Sequence, residues 1–239
     1  FYSSVPQNNE IVLQEKRLFR NGIIVEREHV EEYVQEADCV LIGPGMVRTE
    51  KEKIKESLHV RSLDEVSLTT DEGIQTYLIT KYLLQKYPKK RWVVDAGALQ
   101  MMEEDWLEGM EQVILTPHPK EFHRLFHSDG SPEHIASLAK KYHLTILLKG
   151  KTDIVCSSES CVMISGGNAG MTKGGTGDVL AGLVAALACK NNMFFAAQAG
   201  SYINKKAGES LYKNVGYYYN ATDLVHEIPK VMKELILSD

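Results

Sequence analysis

Gly166-Gly167-Asn168-Ala169-Gly170-Met171-Thr172-Lys173-Gly174-Gly175-Thr176-Gly177-Asp178 runs straight into Val179-Leu180-Ala181-Gly182-Leu183-Val184-Ala185-Ala186-Leu187-Ala188-Cys189-Lys190, and this join decides the fold. The first half is backbone that takes positive φ and lets a ligand come close. The second half is apolar and rich in Ala and Leu, so it favours a buried helix, and Lys190 suits the C-terminal end of the dipole. A helix beginning near Thr176 points its unpaired N–H groups back into the glycine loop, where a phosphate or a developing oxyanion is stabilised. Asp178 then stands in the first turn and faces the same place. First-turn acids also serve the dipole alone, and glycine-rich loops often only connect elements, so capping is the competing reading. The density of glycine, the polar Asn168 and Thr172, and the apolar helix behind them favour function. The stretch contains neither the Gly-x-x-x-x-Gly-Lys-Ser/Thr loop nor the Gly-x-Gly-x-x-Gly fingerprint.

Upstream, Cys39-Val40-Leu41-Ile42, Trp92-Val93-Val94, Val113-Ile114-Leu115 and Thr145-Ile146-Leu147-Leu148 are continuous apolar runs of the kind that form buried parallel strands. Between them the pattern predicts a short surface helix over Arg27–Ala37, a helix capped by Thr70 and running to about Lys86, and one opened by Ser131-Pro132-Glu133 that ends near Tyr142. Asp153–Ser165 reads as a hairpin that delivers the chain into the glycine loop. Ile11-Val12-Leu13 and Ile23-Ile24-Val25 read as strands or edge pieces, and Glu50–Asp71 as irregular. Downstream, Met193–Tyr212 is helical, and Thr222-Asp223 opens a last helix interrupted by Pro229. The alternation predicts a three-layer αβα fold with a mostly parallel sheet, as one domain over residues 1–239.

A net charge of -5 and a pI near 5.9 argue against nucleic acid or an acidic membrane as partner. Cys39, Cys156, Cys161 and Cys189 form no Cys-x-x-Cys pair and no metal-ligand spacing, so reduced cysteines in a cytoplasmic setting are expected. The longest apolar run, Val179–Cys189, falls far short of the roughly 20 residues that cross a bilayer.

In parallel sheets, ligands bind beyond the carboxyl ends of the strands. The four loops at those ends are Gly43-Pro44-Gly45, Asp95-Ala96-Gly97, Thr116-Pro117-His118-Pro119 and Lys149-Gly150-Lys151, and each holds glycine, proline or a chemically active side chain. Each also has a plainer reading: a simple turn at Gly43-Pro44-Gly45, a helix cap at Asp95, a sheet-edge lysine at Lys149. His118, fixed between two prolines, is a candidate ligand contact. His123 and His127 are spaced i, i+4 but lack the Glu of His-Glu-x-x-His, and a solvent-facing helix accounts for them.

Asn168-Ala169-Gly170-Met171 followed by Gly174-Gly175-Thr176-Gly177-Asp178-Val179-Leu180-Ala181-Gly182 resembles the signature of the ADP/ATP-dependent NAD(P)H-hydrate dehydratases, carbohydrate-kinase-like domains of the ribokinase-like superfamily. The resemblance extends, in order, through Gly43-Pro44-Gly45, Thr116-Pro117-His118-Pro119-x-Glu121, Leu147-Leu148-Lys149-Gly150 and Ala221-Thr222-Asp223-Leu224 with Ile228-Pro229. This chain departs from the pattern at Met46-Val47, at Lys120 where the family has glycine, and at Gly97 where it has a second Asp. It also lacks the family's first strand, glycine-rich turn and small-residue helix, and is expected to be a fragment or to receive those elements from another chain.

The resemblance implies dehydration of the 6S hydrate of NADH or NADPH, driven by ADP or ATP with Mg²⁺. The C6 hydroxyl would be phosphorylated and the phosphate then eliminated. It implies Asp178 as catalytic base beside an anion hole at Gly175, Thr176 and Gly177. Substrate contacts would come from Gly43, Gly45, His118, Asn168 and Asp178. The nucleotide would be held by Lys149, Gly150, Lys151, Thr152, Asp153 and Gly177. No protein-held metal site is expected. The resemblance implies a homo-oligomer, since relatives are often homotetramers, and a fused or separate epimerase domain as partners. Two rivals remain open: a vitamin or sugar kinase of the same superfamily, and a non-catalytic nucleotide-binding subunit.

Overall fold

A computed structural model describes residues 1–15, 21–50, 54 and 60–237. Six strands form one sheet in sequence order: β1 (Val40–Ile42), β2 (Arg91–Val94), β3 (Gln112–Leu115), β4 (Thr145–Leu148), β5 (Thr152–Cys156) and β6 (Cys161–Ser165). The first four pair in parallel and β4–β5–β6 pair antiparallel. The continuous apolar runs have the expected cause, since the side chains of each central strand divide between two cores. Trp92, Val94, Val113, Leu115, Ile146 and Leu148 face one core. Val93, Ile114, Leu147 and Val155 face the other. Burial on both faces removes the need for polar alternation.

The first core is closed by α4 (Glu72–Lys86), α5 (Ala96–Met101), α6 (Pro119–Phe126) and α7 (Pro132–Tyr142). The second is closed by α8 (Thr176–Ala188) and by α9 (Met193–Val215), against which α10 (Ala221–Leu237) packs through Leu224, Ile228 and Val231. These layers are the αβα arrangement expected from the sequence. Among the described residues, no helix is long and apolar enough to cross a membrane.

Several local expectations are corrected. Ile11-Val12-Leu13 lies in a helix, α1 (Pro6–Gln14), started by Pro6 at its first position and tied down by the buried Asn9, which donates to Val25 O and accepts from Ser4 N. Ile24 makes only an isolated bridge to Tyr2. The surface helix α2 is shorter than expected, Val30–Glu36, behind a 3₁₀ turn at Arg27–His29. Glu50–Asp71, part of which lies outside the described residues, contains α3 (Leu63–Ser67), formed because Leu63 and Val66 bury one face. The cap of α4 is Asp71 rather than Thr70, its Oδ1 accepting from Gly73 N and Ile74 N. Ala96-Gly97-Ala98-Leu99 is helix α5 rather than an exit loop. α10 continues through Pro229, held by apolar contacts on both sides of it.

The cysteines are not all reduced, because Cys156 and Cys161 form a disulfide. The hairpin register places these two residues directly opposite each other, which the sequence spacing of five does not reveal. Cys39 and Cys189 remain free and half-buried.

Candidate active site

The strand-end loops are locked together before any ligand is considered. Gly43 has φ 121°, and a Cβ there would stand 1.7 Å from the Asp95 carbonyl oxygen. Only glycine allows the β1 loop to lie this closely on the β2 loop. Asp95 N donates to Ile42 O, and Gly97 N donates to Gly43 O. On the other side, Lys149 N donates to Pro117 O, which joins the β4 and β3 loops.

Within this frame Lys149 Nζ lies 2.7 Å from Asp95 Oδ1, with Asp95 almost fully buried. The same ammonium sits 3.8 Å from where a Gly177 side chain would begin, so the β4 lysine reaches the start of α8. There Gly175, at φ 85°, turns the chain into the helix, and Val179 N to Gly175 O is the first helical bond. The N–H groups of Gly177 and Asp178 precede that bond and form the positive end of the helix. Asp178 is open to solvent, yet its carboxyl is pushed above the ordinary carboxylate range. Desolvation by its surroundings is the main cause, repulsion from Asp95 adds to it, and Lys149 opposes both. Asp178, Asp95, Lys149 and the α8 N-terminus therefore form one electrostatic unit. Such a unit can take a proton from a hydroxyl and bind an anion beside it.

The other residues singled out in the sequence are placed differently. Thr176 turns its hydroxyl inward, its one proton shared between Met171 O at 2.5 Å and Lys173 O at 2.7 Å, so it shapes the loop. Asn168 spends both ends of its amide on the protein. Its Oδ1 accepts from Gly170 N and Tyr219 Oη, and its Nδ2 donates to Gly208 O. Gly45, at φ 72°, stands on the open side of its turn with free space where a side chain would be. His118 caps α6: its Nδ1 accepts from Lys120 N at 3.1 Å and Glu121 N at 3.3 Å, so the ring proton belongs on Nε2, 3.4 Å from Glu121 Oε1. The ring itself is exposed at the site rim.

The loop Lys149-Gly150-Lys151-Thr152-Asp153 exposes Gly150 and Lys151 and buries Asp153. The Asp153 carboxylate points inward, accepting from Gly150 N at 2.8 Å and from Ser201 Oγ at 2.7 Å, with Lys205 Nζ at 3.2 Å.

Sequence reasoning missed the Asp95–Lys149 pair as a pair, and it missed Gln100, Glu209 and Lys205 altogether. Gln100 links Arg48 to the buried Glu121, tying the β1 loop to the histidine cap. The signal for Lys205 was a lysine in the small-residue face of α9, four residues after Ser201.

The sequence profile described as NAD(P)H-hydrate dehydratase matches residues 6–230. The chain belongs to that family. Over 150 residues it is 43% identical to the bifunctional NAD(P)H-hydrate repair enzyme of Methanocaldococcus jannaschii, covering 63% of this chain and 29% of that one. Over 182 residues it is 36% identical to the ADP-dependent (S)-NAD(P)H-hydrate dehydratase of Nitrosopumilus maritimus, covering 72% and 63%. The chain thus spans less than two thirds of the length of either relative. The crystal structure of the ADP/ATP-dependent dehydratase of Bacillus subtilis, co-crystallised with ATP and Mg²⁺, superposes with a TM-score of 0.70 at 20% identity, covering 95% of this chain and 76% of that one. The chain accordingly shares the fold of that Bacillus subtilis dehydratase.

Proposed function

We propose that this chain carries out the ADP- or ATP-dependent dehydration of the 6S hydrate of NADH or NADPH, restoring the reduced cofactor. The observation that carries the reading is the meeting of Asp178, Lys149 and Asp95 at the N-terminus of α8. Hydroxide is a poor leaving group, so the C6 hydroxyl must first be converted to a phosphate ester. Asp178 accepts the hydroxyl proton as general base, a role its raised pKa suits because a base works best when its pKa approaches the working pH. The N–H groups of Gly177 and Asp178 at the start of α8 stabilise the phosphoryl group in transit, and Lys149 supplies the fixed cation beside it. The ring nitrogen lone pair then expels phosphate as the C6–O bond breaks, and loss of the C5 proton from the resulting iminium forms the C5=C6 double bond of the reduced cofactor.

Gly150, Lys151 and Thr152 hold the nucleotide. Gly43, Gly45 and the His118 rim bound the hydrate. Asn168 and Asp153 serve their ligands by shaping the two loops. No group of three or more His, Cys, Asp or Glu among the described residues is arranged to hold a metal ion. Magnesium usually binds through one or two carboxylates plus substrate phosphates, and here the nucleotide phosphates would supply its main ligands. Mg²⁺ held there would neutralise charge on the phosphates.

The reading covers residues 1–239 as one domain in a cytoplasmic homo-oligomer, working with a fused or separate epimerase. Its test is the return of reduced-nicotinamide absorbance when the protein meets NADH hydrate and Mg²⁺ with ADP, ATP or no nucleotide. Recovery that requires a nucleotide and releases phosphate supports the dehydratase. A stable phosphorylated product identifies a kinase instead, and nucleotide binding without turnover on any acceptor rejects both.

A further inference from the structure

Helix α9 lies beneath the two loops that must face each other across the reaction, and it grips both with residues one turn apart. Ser201, Lys205 and Glu209 stand at i, i+4 and i+8 on one side of the helix. Ser201 and Lys205 hold the loop after β4, while Gly208 O and Glu209 hold the loop after β6 through Asn168 Nδ2 and Gly167 N.

Lys205 belongs to both grips. Its ammonium donates to Gly150 O at 3.1 Å and Lys151 O at 3.2 Å and pairs with Asp153 Oδ1 at 3.2 Å. Its stem runs along the glycines that lead to α8. A Cβ at Gly167 would lie 3.4 Å from Lys205 Cγ, and one at Gly166 would lie 3.7 Å from Lys205 Cβ. The lysine is 6% exposed and Asp153 is 4% exposed, so neither is a surface charge that happened to find a partner.

From this geometry, and resting on the reading above that Lys149–Asp153 holds the nucleotide, we propose that Lys205 is a positioning residue that fixes the nucleotide loop relative to the anion site at α8. Two physical effects follow. The ammonium pins the carbonyls of Gly150 and Lys151 inward, which keeps acceptor oxygens away from an incoming polyphosphate. It also neutralises Asp153, whose carboxylate would otherwise set an uncompensated negative charge under the same loop.

The test separates positioning from mere stability. Lys205→Met alone strands a buried carboxylate, so the informative protein is Lys205→Met/Asp153→Asn, which removes both charges together. Binding of ADP and of ATP is measured by calorimetry, hydrate KM and kcat are measured in turnover, and folding is followed by thermal melting. The double variant is expected to weaken nucleotide binding about tenfold, while the hydrate KM stays within about twofold, because a loop displaced by a fraction of an ångström loses oriented contacts. A folded double variant that binds nucleotide as the wild type does overturns the proposal. If the double variant does not fold, Ser201→Ala decides the matter. It loses only the hydroxyl bond to Asp153, and about threefold weaker nucleotide binding supports the proposal while unchanged binding overturns it. Wild-type protein that binds ADP or ATP yet dehydrates nothing defeats the dehydratase reading and leaves this test intact. Wild-type protein that binds neither defeats both.

Discussion

The loop after β4 and the loop before α8 face one another, and they are built from opposite materials. The first is organised by buried charge, with Lys149 on Asp95 and Lys205 on Asp153. The second is organised mainly by neutral groups: Asn168 bonded to Gly170, Gly208 and Tyr219, and the Thr176 hydroxyl set between two carbonyls of its own loop. The charged groups that hold it bond to main chain, Glu209 to Gly167 N and Lys173 to the carbonyls of Tyr217 and Tyr219. The difference follows from what each must leave unspent. A helix N-terminus attracts an anion only while its N–H groups and their positive potential remain unsatisfied. The lysine loop has no dipole to rely on and must carry its cation, which is well placed only when buried carboxylates hold its frame.

Four experiments can break or sharpen this contrast. The largest effect belongs to the acid where the loop before α8 enters the helix: Asp178→Asn is expected to lower kcat by about 10²–10⁴-fold, the usual worth of a positioned base, with nucleotide affinity nearly unchanged. Steady-state kinetics beside calorimetry reads it, and retention of most activity rejects Asp178 as the base.

On the charged side, Asp153→Ala leaves Lys205 buried without its partner and should cost about 3–5 kcal/mol of stability. Denaturant unfolding measures this, and a loss below 1 kcal/mol would mean that the pair does not organise its loop. On the neutral side, Tyr219→Phe removes a single hydrogen bond to Asn168 and should cost only about 0.5–1.5 kcal/mol. Should it cost as much as Asp153→Ala, the division into charged and neutral construction fails.

The gentlest probe is a pH profile. Asp95 is one of the groups that raise the Asp178 carboxyl, and Lys149 opposes it. In Asp95→Asn the acid limb of kcat/KM, where the base becomes protonated, should therefore move to lower pH. In Lys149→Met the same limb should move to higher pH. Limbs that stay in place would uncouple these groups from the base.

Much of this was legible in the chain. Periodicity and apolar runs located four parallel strands, the hairpin and the main helix, because burial on two faces leaves an unmistakable composition in Trp92–Val94 or Thr145–Leu148. The first-turn acid and the glycine loop pointed to Asp178 because helix termini have obligatory chemistry. Short amphipathic pieces were harder to read. Ile11-Val12-Leu13 carries the same three apolar residues in a helix as in a strand, and only its contacts choose. The Cys156–Cys161 bond was missed because it depends on hairpin register rather than on spacing alone.

By itself, then, the sequence determined the layers of the fold, the family, and the loops that gather at the strand ends. These follow from local propensity, from the period of burial and from motifs a few residues long. The tertiary structure alone decided that Asp153 turns inward, that Asn168 is consumed by Gly170, Gly208 and Tyr219, and that Lys205 reaches both loops. Each depends on residues 40 to 55 positions apart, such as Asp153 and Ser201 or Lys205 and Gly150, arriving at one place. Electrostatic and hydrogen-bond energies fall off over a few ångströms of space, and distance along the chain does not record that proximity.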